Sequence, residues 1–291
     1  MLDQSLQQAA WCIPQQLRTV LSQLNLTQQK QCEEIRLRVG QPLCVTICGQ
    51  EKHLRSDNIT QAELEQVLQK ATEYSMHTFA DSLRQGFLTV QGGHRIGVCG
   101  QMAMQNGHIL SYRRISSLNI RIARQMIGIA NETLYTEIRQ QNRLHSILIF
   151  SPPGRGKTTV LRDLARQISN SGIRTAFADE RSELAGIYEG VPQFDIGQNT
   201  DVIDGCSKAQ AAMILLKTMS PQLLVLDEIT SENDIHAVEY AAHCGVAVLA
   251  SAHAWDLEDF TIRPLYRKLL EMKVFDKIFC IQSDRSVQRV Q

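Results

Sequence analysis

No run of 18 apolar residues occurs in this 291-residue chain, so no membrane-spanning helix is expected. No leader is expected either. The chain opens Met1-Leu2-Asp3-Gln4, without the basic and apolar regions of a secretory signal, and the expected location is the cytoplasm. The eight cysteines include no C-x-x-C pair. Cys44 and Cys48 stand four apart in an alternating run, one strand face by period, where buried reduced thiols are expected over a metal pair. The third lack is local. From Ser82 to Asn131 there is no Asp, Glu or Lys, only the arginines 84, 95, 113, 114, 121 and 124. Net charge is zero, so the rest of the chain sums to −6. Such a segment either seeks an anion (phosphate, nucleic acid, acidic lipid or an acidic protein face) or pairs with acids elsewhere in the fold. Aromatics within it are sparse, Phe87 and Tyr112, which weakens a base-stacking surface.

What is present is globular in composition, 43% hydrophobic and 21% charged, and long enough for two domains. The most informative stretch is Ile147-Leu-Ile-Phe-Ser151-Pro152-Pro153-Gly154-Arg155-Gly156-Lys157-Thr158-Thr159. An apolar run ends in a Pro/Gly turn and passes into a helical pattern, the strand–loop–helix setting of a phosphate-binding loop. Residues 151–159 are the expected nucleotide contacts. Glycines 154 and 156 let the backbone approach phosphate oxygens closely. The following helix N-terminus adds partial positive charge. Lys157 can reach the β- and γ-phosphates, and Thr158 can ligate Mg²⁺. The full pattern wants Gly at 151, where this chain has Ser151.

The second half alternates strands and helices. Strands are expected at 145–150, 174–179, 223–226, 246–252 and 277–281. Helices are expected from Thr158 to a stop at Gly172, over 207–219, from a Ser231/Asp234 capping box to Cys244, and over 258–272. Apolar strands between amphipathic helices mean a parallel sheet covered on both faces, a RecA-like α/β fold. The first half reads as a smaller α+β domain. It has an N-terminal helix, an alternating region at 34–48 broken by Gly40-Gln41-Pro42, and helices over 60–83. Strands at 87–90, 95–104 and 109–114 follow, the last two joined by an Asn106-Gly107 hairpin turn. A polar helix at 131–143 marks the join, giving domains 1–130 and 131–291.

Acids at strand ends supply the remaining chemistry, because strand C-termini of parallel sheets face the ligand crevice. Asp227 closes the strand Leu223–Leu226 and suits Mg²⁺, and Glu228 after it can polarise an attacking water. Asp179 and Glu180 end the preceding strand, so either can hold a Mg²⁺ water or compete with Glu228 as base. His253, after Ser251-Ala252, is either a sensor of the γ-phosphate or a satisfied core histidine.

Further segments carry a resemblance. They are Glu33-Glu34-Ile35-Arg36-Leu37-Arg38, Gly92-Gly93-His94-Arg95-Ile96-Gly97, Asn119-Ile120-Arg121-Ile122-Ala123-Arg124, Asp179-Glu180-Arg181-Ser182-Glu183, Thr200–Cys206, Asp227-Glu228-Ile229 and Ser251-Ala252-His253. Nearly end to end, the chain resembles the stage III sporulation AA family, relatives of the ring-forming type II and type IV secretion ATPases. The resemblance implies ATP hydrolysis with Mg²⁺ in a homo-oligomeric, hexameric ring. The ring would power or gate a channel from mother cell to forespore, peripheral to the membrane through embedded channel proteins and with no nucleic-acid partner. It implies Glu228 as catalytic carboxylate and His253 as the histidine motif. It also implies Arg121 and Arg124 as arginines that reach nucleotide from the N-terminal domain. The family pattern expects Gly at 151 and 230, Thr at 251 and Gly at 254. The chain has Ser151, Thr230, Ser251 and Ala254, small changes that bear on hydrolysis rate more than on binding. A nucleic-acid motor and a nucleotide-gated scaffold with little turnover are the alternative readings.

Overall fold

The computed structural model describes residues 2–74, 79–84, 86–105, 108–140 and 143–290. The chain forms two units, Met1–Arg124 with Tyr188–Gln193, and Gln125–Ile187 with Phe194–Gln291. The expected join at 130/131 therefore moves to Arg124/Gln125. The physical reason is that Ala130 already belongs to the second unit. Its N–H donates to Asp163 at 2.9 Å and its carbonyl accepts from Gln167 at 2.8 Å.

The first unit begins with three short helices, α1 (Gln4–Ala9), α2 (Gln15–Leu21) and α3 (Leu26–Gln31), rather than one. Pro14 precedes α2 as its N-cap in extended backbone and breaks the run. Then follow β1 (Cys32–Arg38), β2 (Pro42–Ile47), β3 (Gln50–Asn58), α4 (Gln61–Ala71), α5 (Ala80–Arg84), β4 (Phe87–Val90), β5 (His94–Gln105) and β6 (His108–Arg121). The six strands form one antiparallel sheet in the order β3-β2-β1-β6-β5-β4. Strand β3 has Leu54 as its single apolar residue. It lies at the sheet edge, where hydrogen bonding to one neighbour stands in for an apolar pattern.

Alternation in β1 sends Ile35 and Leu37 into the core. Its other face carries an ion network: Arg36 to Glu34 at 2.6 Å and Arg38 to Glu51 at 3.0 Å. The Glu-Glu-Ile-Arg-Leu-Arg segment is thus sheet construction. Cys44 is buried, but Cys48 is exposed and sits at φ +49 just after β2, so the two do not share a strand face. The Asn106-Gly107 turn lies outside the described residues.

The second unit comprises α6 (Glu132–Ile138), β7 (Arg139–Gln140), β8 (Arg143–Leu144), β9 (Ile147–Phe150), α7 (Lys157–Asn170), β10 (Thr175–Asp179), β11 (Thr200–Asp204), α8 (Lys208–Thr218), β12 (Leu223–Leu226), α9 (Glu232–His243), β13 (Ala247–Ala252), α10 (Leu257–Ile262), α11 (Pro264–Glu271), β14 (Lys277–Ile281) and β15 (Val287–Arg289). Its seven-stranded sheet runs β11-β10-β12-β13-β9-β14-β15, parallel except for the last pair. Strands β9, β10, β12 and β13 are buried along their whole length, as a sheet covered on both faces requires. The stripe Val160, Leu161, Leu164, Ala165 and Ile168 of α7 is buried. The Ser231/Asp234 capping box is present at α9. The helix expected over 258–272 is two helices, because Pro264 starts α11 and cannot continue α10. The helix expected over 131–143 stops at Ile138, where β7 begins.

Candidate nucleotide site

The loop between β9 and α7 has the conformation its glycines suggest. Gly154 sits at φ +77 and Gly156 at φ +90, both in the left-handed region, and a Cβ on either would meet nothing within 4 Å. Gly156 is the N-cap of α7 and makes no side-chain cap, so the first N–H groups of a 14-residue helix open onto the loop. Ser151 is fully buried and is not among the positive-φ residues. Its hydroxyl donates to the Pro152 carbonyl at 3.0 Å, filling space beneath the loop. Arg155 reaches away, donating to the Ser283 carbonyl at 3.0 Å.

Lys157 is 4% exposed, and burial pulls its ammonium below the usual lysine range while Glu228 and Asp227 pull the other way. The Nζ group donates to the carbonyls of Ser151 at 3.0 Å and Pro152 at 3.1 Å, and lies 2.8 Å from His253 Nδ1. A buried cation resting on carbonyls and an imidazole is a donor set suited to an anion.

Asp227 stands directly after β12. It accepts from the Thr158 hydroxyl at 2.6 Å and the Ser251 hydroxyl at 2.5 Å. One carboxylate beside one hydroxyl, at the mouth of the loop, suits a Mg²⁺ ion that keeps several waters. Glu228 lies at φ +52, a strained backbone for a side chain with a Cβ. It is clamped on both sides. Its N–H donates to Ser251 Oγ at 2.9 Å and its carbonyl accepts from Lys208 Nζ at 2.8 Å. The Glu228 carboxylate is 2.7 Å from His253 Nε2. With Lys157 donating to Nδ1, the imidazole carries its proton on Nε2 and donates to Glu228. Lys157, His253 and Glu228 therefore form one continuous chain.

Glu180 is on the same rim, 3.4 Å from Lys208 Nζ, and shares a small cleft with Asp227, Glu228 and Arg181. Asp179 does not act as the sequence suggests. Its carboxylate is 2% exposed and turns back into the chain, accepting the N–H groups of Glu183, Leu184 and Ala185 at 2.8–3.1 Å. Burial raises it to about 6, against those backbone bonds. It has no face left for a metal ion; it builds the loop after β10. Arg162 holds the same loop, donating to the carbonyls of Glu183 and Leu184 at 2.7 and 2.6 Å.

Of the two arginines expected at nucleotide, Arg124 is committed within the first unit. It donates to the carbonyls of Cys32 at 2.5 Å and Gln29 at 3.0 Å. Arg121 at the end of β6 is 62% exposed, its nearest acid Glu34 at 3.9 Å.

Sequence reasoning missed Lys208, Ser251 and Arg162. A lysine opening a helix reads as surface, yet Lys208 is 6% exposed. The signal available for Ser251 was its place at the end of an apolar strand, one strand from Asp227. The small-residue departures keep their chemistry. Ser251 retains the hydroxyl that reaches Asp227. Thr230 bonds Asp234, its N–H at 2.9 Å, and so joins the α9 cap.

Comparison with known proteins gives the family and the fold. The sequence model of the family described as "Sporulation stage III, protein AA" matches residues 4–291. The stage III sporulation protein AA of Bacillus subtilis (strain 168) is 39% identical over 271 residues, 91% of this chain and 87% of that protein. Among solved structures, the Legionella pneumophila ATPase DotB is similar with a TM-score of 0.60 at 14% identity, over 95% of this chain and 79% of that one. The pilus retraction motor PilT, solved with bound ADP, is similar with a TM-score of 0.54 at 16% identity, over 89% of this chain and 78% of that one. These likenesses carry the fold alone, the RecA-like α/β architecture. The chain belongs to the sporulation stage III, protein AA family.

Proposed function

We infer that the chain binds ATP with Mg²⁺ and hydrolyses it as one subunit of a homo-oligomeric, hexameric ring. The ring works in the cytoplasm, against membrane-embedded channel proteins of sporulation, to power or gate passage between mother cell and forespore. The observation that carries the hydrolytic reading is the convergence of Lys157, Thr158, Asp227, Glu228 and His253 at one loop mouth, joined by contacts of 2.6–2.8 Å. The DotB and PilT likenesses and the family support the motor and sporulation settings.

Each residue has a task. The N–H groups around Gly154 and Gly156 and the start of α7 receive phosphate oxygens. Lys157 leaves the Ser151 and Pro152 carbonyls to meet the β- and γ-phosphates. That movement also releases His253 Nδ1, so the imidazole responds to the presence of the γ-phosphate. Thr158 and Asp227 hold Mg²⁺, which when bound neutralises charge on the phosphate oxygens. Glu228, oriented by His253 and by its clamped backbone, takes a proton from the attacking water. Of the two arginines, Arg121 is the one free to complete a neighbour's site, since Arg124 is spent on its own fold.

The test is Glu228→Gln in the full chain. ATP binding, read with a fluorescent analogue, should stay within the wild-type range, while turnover falls at least ~100-fold, the usual worth of a positioned base. Turnover that survives in Glu228→Gln but collapses in Glu180→Gln would move the base to β10. Absence of turnover in the wild type, alone and with membranes of sporulating cells, would leave a nucleotide-gated scaffold.

A further inference from the structure

The acid-free arginine segment is not used up by the nucleotide site. Most of it is one hairpin, β5 with β6. Strand β6 pairs with β1 through Ser117–Arg121, and β5 pairs with β4 through His94–Gly97. The Val98 N–H still donates to the Gly86 carbonyl at 2.8 Å and the Ser116 carbonyl accepts from Val39 at 3.0 Å. Beyond them the described residues from Cys99 to Ile115 have backbone partners only across the hairpin, a two-stranded arm of a six-stranded sheet. At its root Val98 and Ile115 are buried and the Tyr112 hydroxyl donates to the Val98 carbonyl at 2.7 Å. Between Cys99 and Arg114, none of the described residues is buried.

A two-stranded ribbon has little stability of its own in water, and this one spends apolar side chains on solvent. Met104 is 57% exposed, Leu110 50% and Ile109 38%. Met104 and Ile109 face each other across the strands. Behind them Arg113 and Arg114 are exposed, and neither pairs with an acid among the described residues. The geometry is also built. Register shifts place an extra β6 residue at Leu110, at Arg113 and at Ser116, bulges that twist a ribbon and re-aim its side chains. Gly100 permits the inner one, since a Cβ there would lie 2.1 Å from the Arg114 carbonyl oxygen.

We propose that this arm is a membrane-contact element that docks on an anionic lipid surface, with Met104, Ile109 and Leu110 entering the interface and Arg113 and Arg114 meeting lipid phosphates. The pairing of chemistries favours lipid as the occupant. Exposed apolar side chains at 104, 109 and 110 beside the cationic pair 113 and 114, on a backbone hydrogen-bonded across its own strands, suit an anionic headgroup layer. The absence of any Asp, Glu or Lys from Ser82 to Asn131 leaves nothing in the segment to repel a negative surface. The inference does not rest on ATP hydrolysis.

The experiment is flotation of the full chain with vesicles of phosphatidylglycerol and phosphatidylcholine, and with phosphatidylcholine alone. The wild type should float with the mixed vesicles, lose them as salt rises, and ignore the neutral ones. Arg113→Ala with Arg114→Ala should weaken binding roughly 30-fold, at about fivefold for each basic residue at an anionic surface. Met104→Ser, Ile109→Ser and Leu110→Ser together should weaken it by about tenfold or more. All five side chains are outside the core, so the thermal midpoint should not move. If the apolar variant does misfold, the arginine variant decides alone. No flotation of the wild type would overturn the proposal, as would equal flotation with neutral vesicles or flotation that the arginine variant leaves unchanged. Binding to native membranes that is lost when their proteins are digested would overturn it in favour of a protein partner.

Discussion

Lys208→Met is the sharpest test of how the site is held together. The lysine is nearly the shape of methionine, is 6% exposed, and touches neither the phosphate loop nor the expected metal position. Its ammonium donates to the Glu228 carbonyl at 2.8 Å and faces Glu180 at 3.4 Å and Asp234 at 3.8 Å. Glu228 sits at φ +52, a conformation that costs roughly 1–2 kcal/mol for a residue with a Cβ. A hydrogen bond from a charged donor contributes roughly 1.5–3 kcal/mol, enough to offset that strain. Without it the strain is free to relax, and the Glu228 carboxylate swings off His253. If the loss falls wholly on the position of Glu228, turnover drops roughly 10- to 100-fold. Nucleotide affinity stays, because residues 151–158 are untouched. Steady-state ATPase kinetics on the folded variant should show kcat reduced with KM unchanged, and Lys208→Arg should recover part of the rate. Wild-type kcat in Lys208→Met would refute the clamp. An equal loss of affinity would make Lys208 a fold residue instead.

Other expectations follow from the same contacts. His94 is 1% exposed and accepts the Ala123 N–H at 3.0 Å through Nδ1; burial, with Arg124 nearby, lowers it from 6.5 to about 4. The unfolded chain therefore binds the proton more readily. Stability from this group is full above pH 6.5 and is lost toward pH 4, about 3 kcal/mol over some 2.5 pH units. Urea unfolding followed at Trp11 should show this slope, and His94→Gln should remove it; a slope that persists in the variant assigns it to other groups. For assembly, Glu228→Gln and Arg121→Ala chains should each be nearly inactive alone and regain ATPase activity when mixed. No recovery in mixtures shown by sizing to co-assemble would exclude an arginine acting in trans.

The strand–loop–helix at 147–159 was legible because each of its requirements is local. An apolar strand, φ-permissive glycines and a helix start are all within Ile147–Thr159, and the structure joins them without outside help. The apolar strands of the second unit were legible for a similar reason: burial on both faces leaves a continuous hydrophobic run. Strand β3 was not, because an edge strand can be held by backbone bonds alone. Nor was the assignment of Tyr188–Gln193 to the first unit, since a loop between strands has no period to read. Lys208 was hidden by its chemistry. A lysine in a first helical turn reads as solvated, and only the three-dimensional meeting of a carbonyl, Glu180 and Asp234 makes its burial tolerable.

Asp179 and Asp227 show where the strand-end rule stops. Both close apolar parallel strands at neighbouring positions in the sheet, and both are followed by Glu, so sequence pattern treats them alike. What separates them is the backbone that comes next. After Asp179 the chain curls so that the N–H groups of residues 183–185 point back at the carboxylate, and a carboxylate with that many donors is structural. After Asp227 the chain steps into the left-handed region at Glu228, which turns its N–H to Ser251 and its carbonyl to Lys208. Among the described residues no backbone donor then returns to Asp227, and its oxygens meet two hydroxyls, Thr158 and Ser251. Hydroxyls, unlike backbone amides, can rotate and become acceptors when a cation arrives. The difference between a loop-building acid and one left open to a cation thus lies in the donors that residues four to six positions on supply.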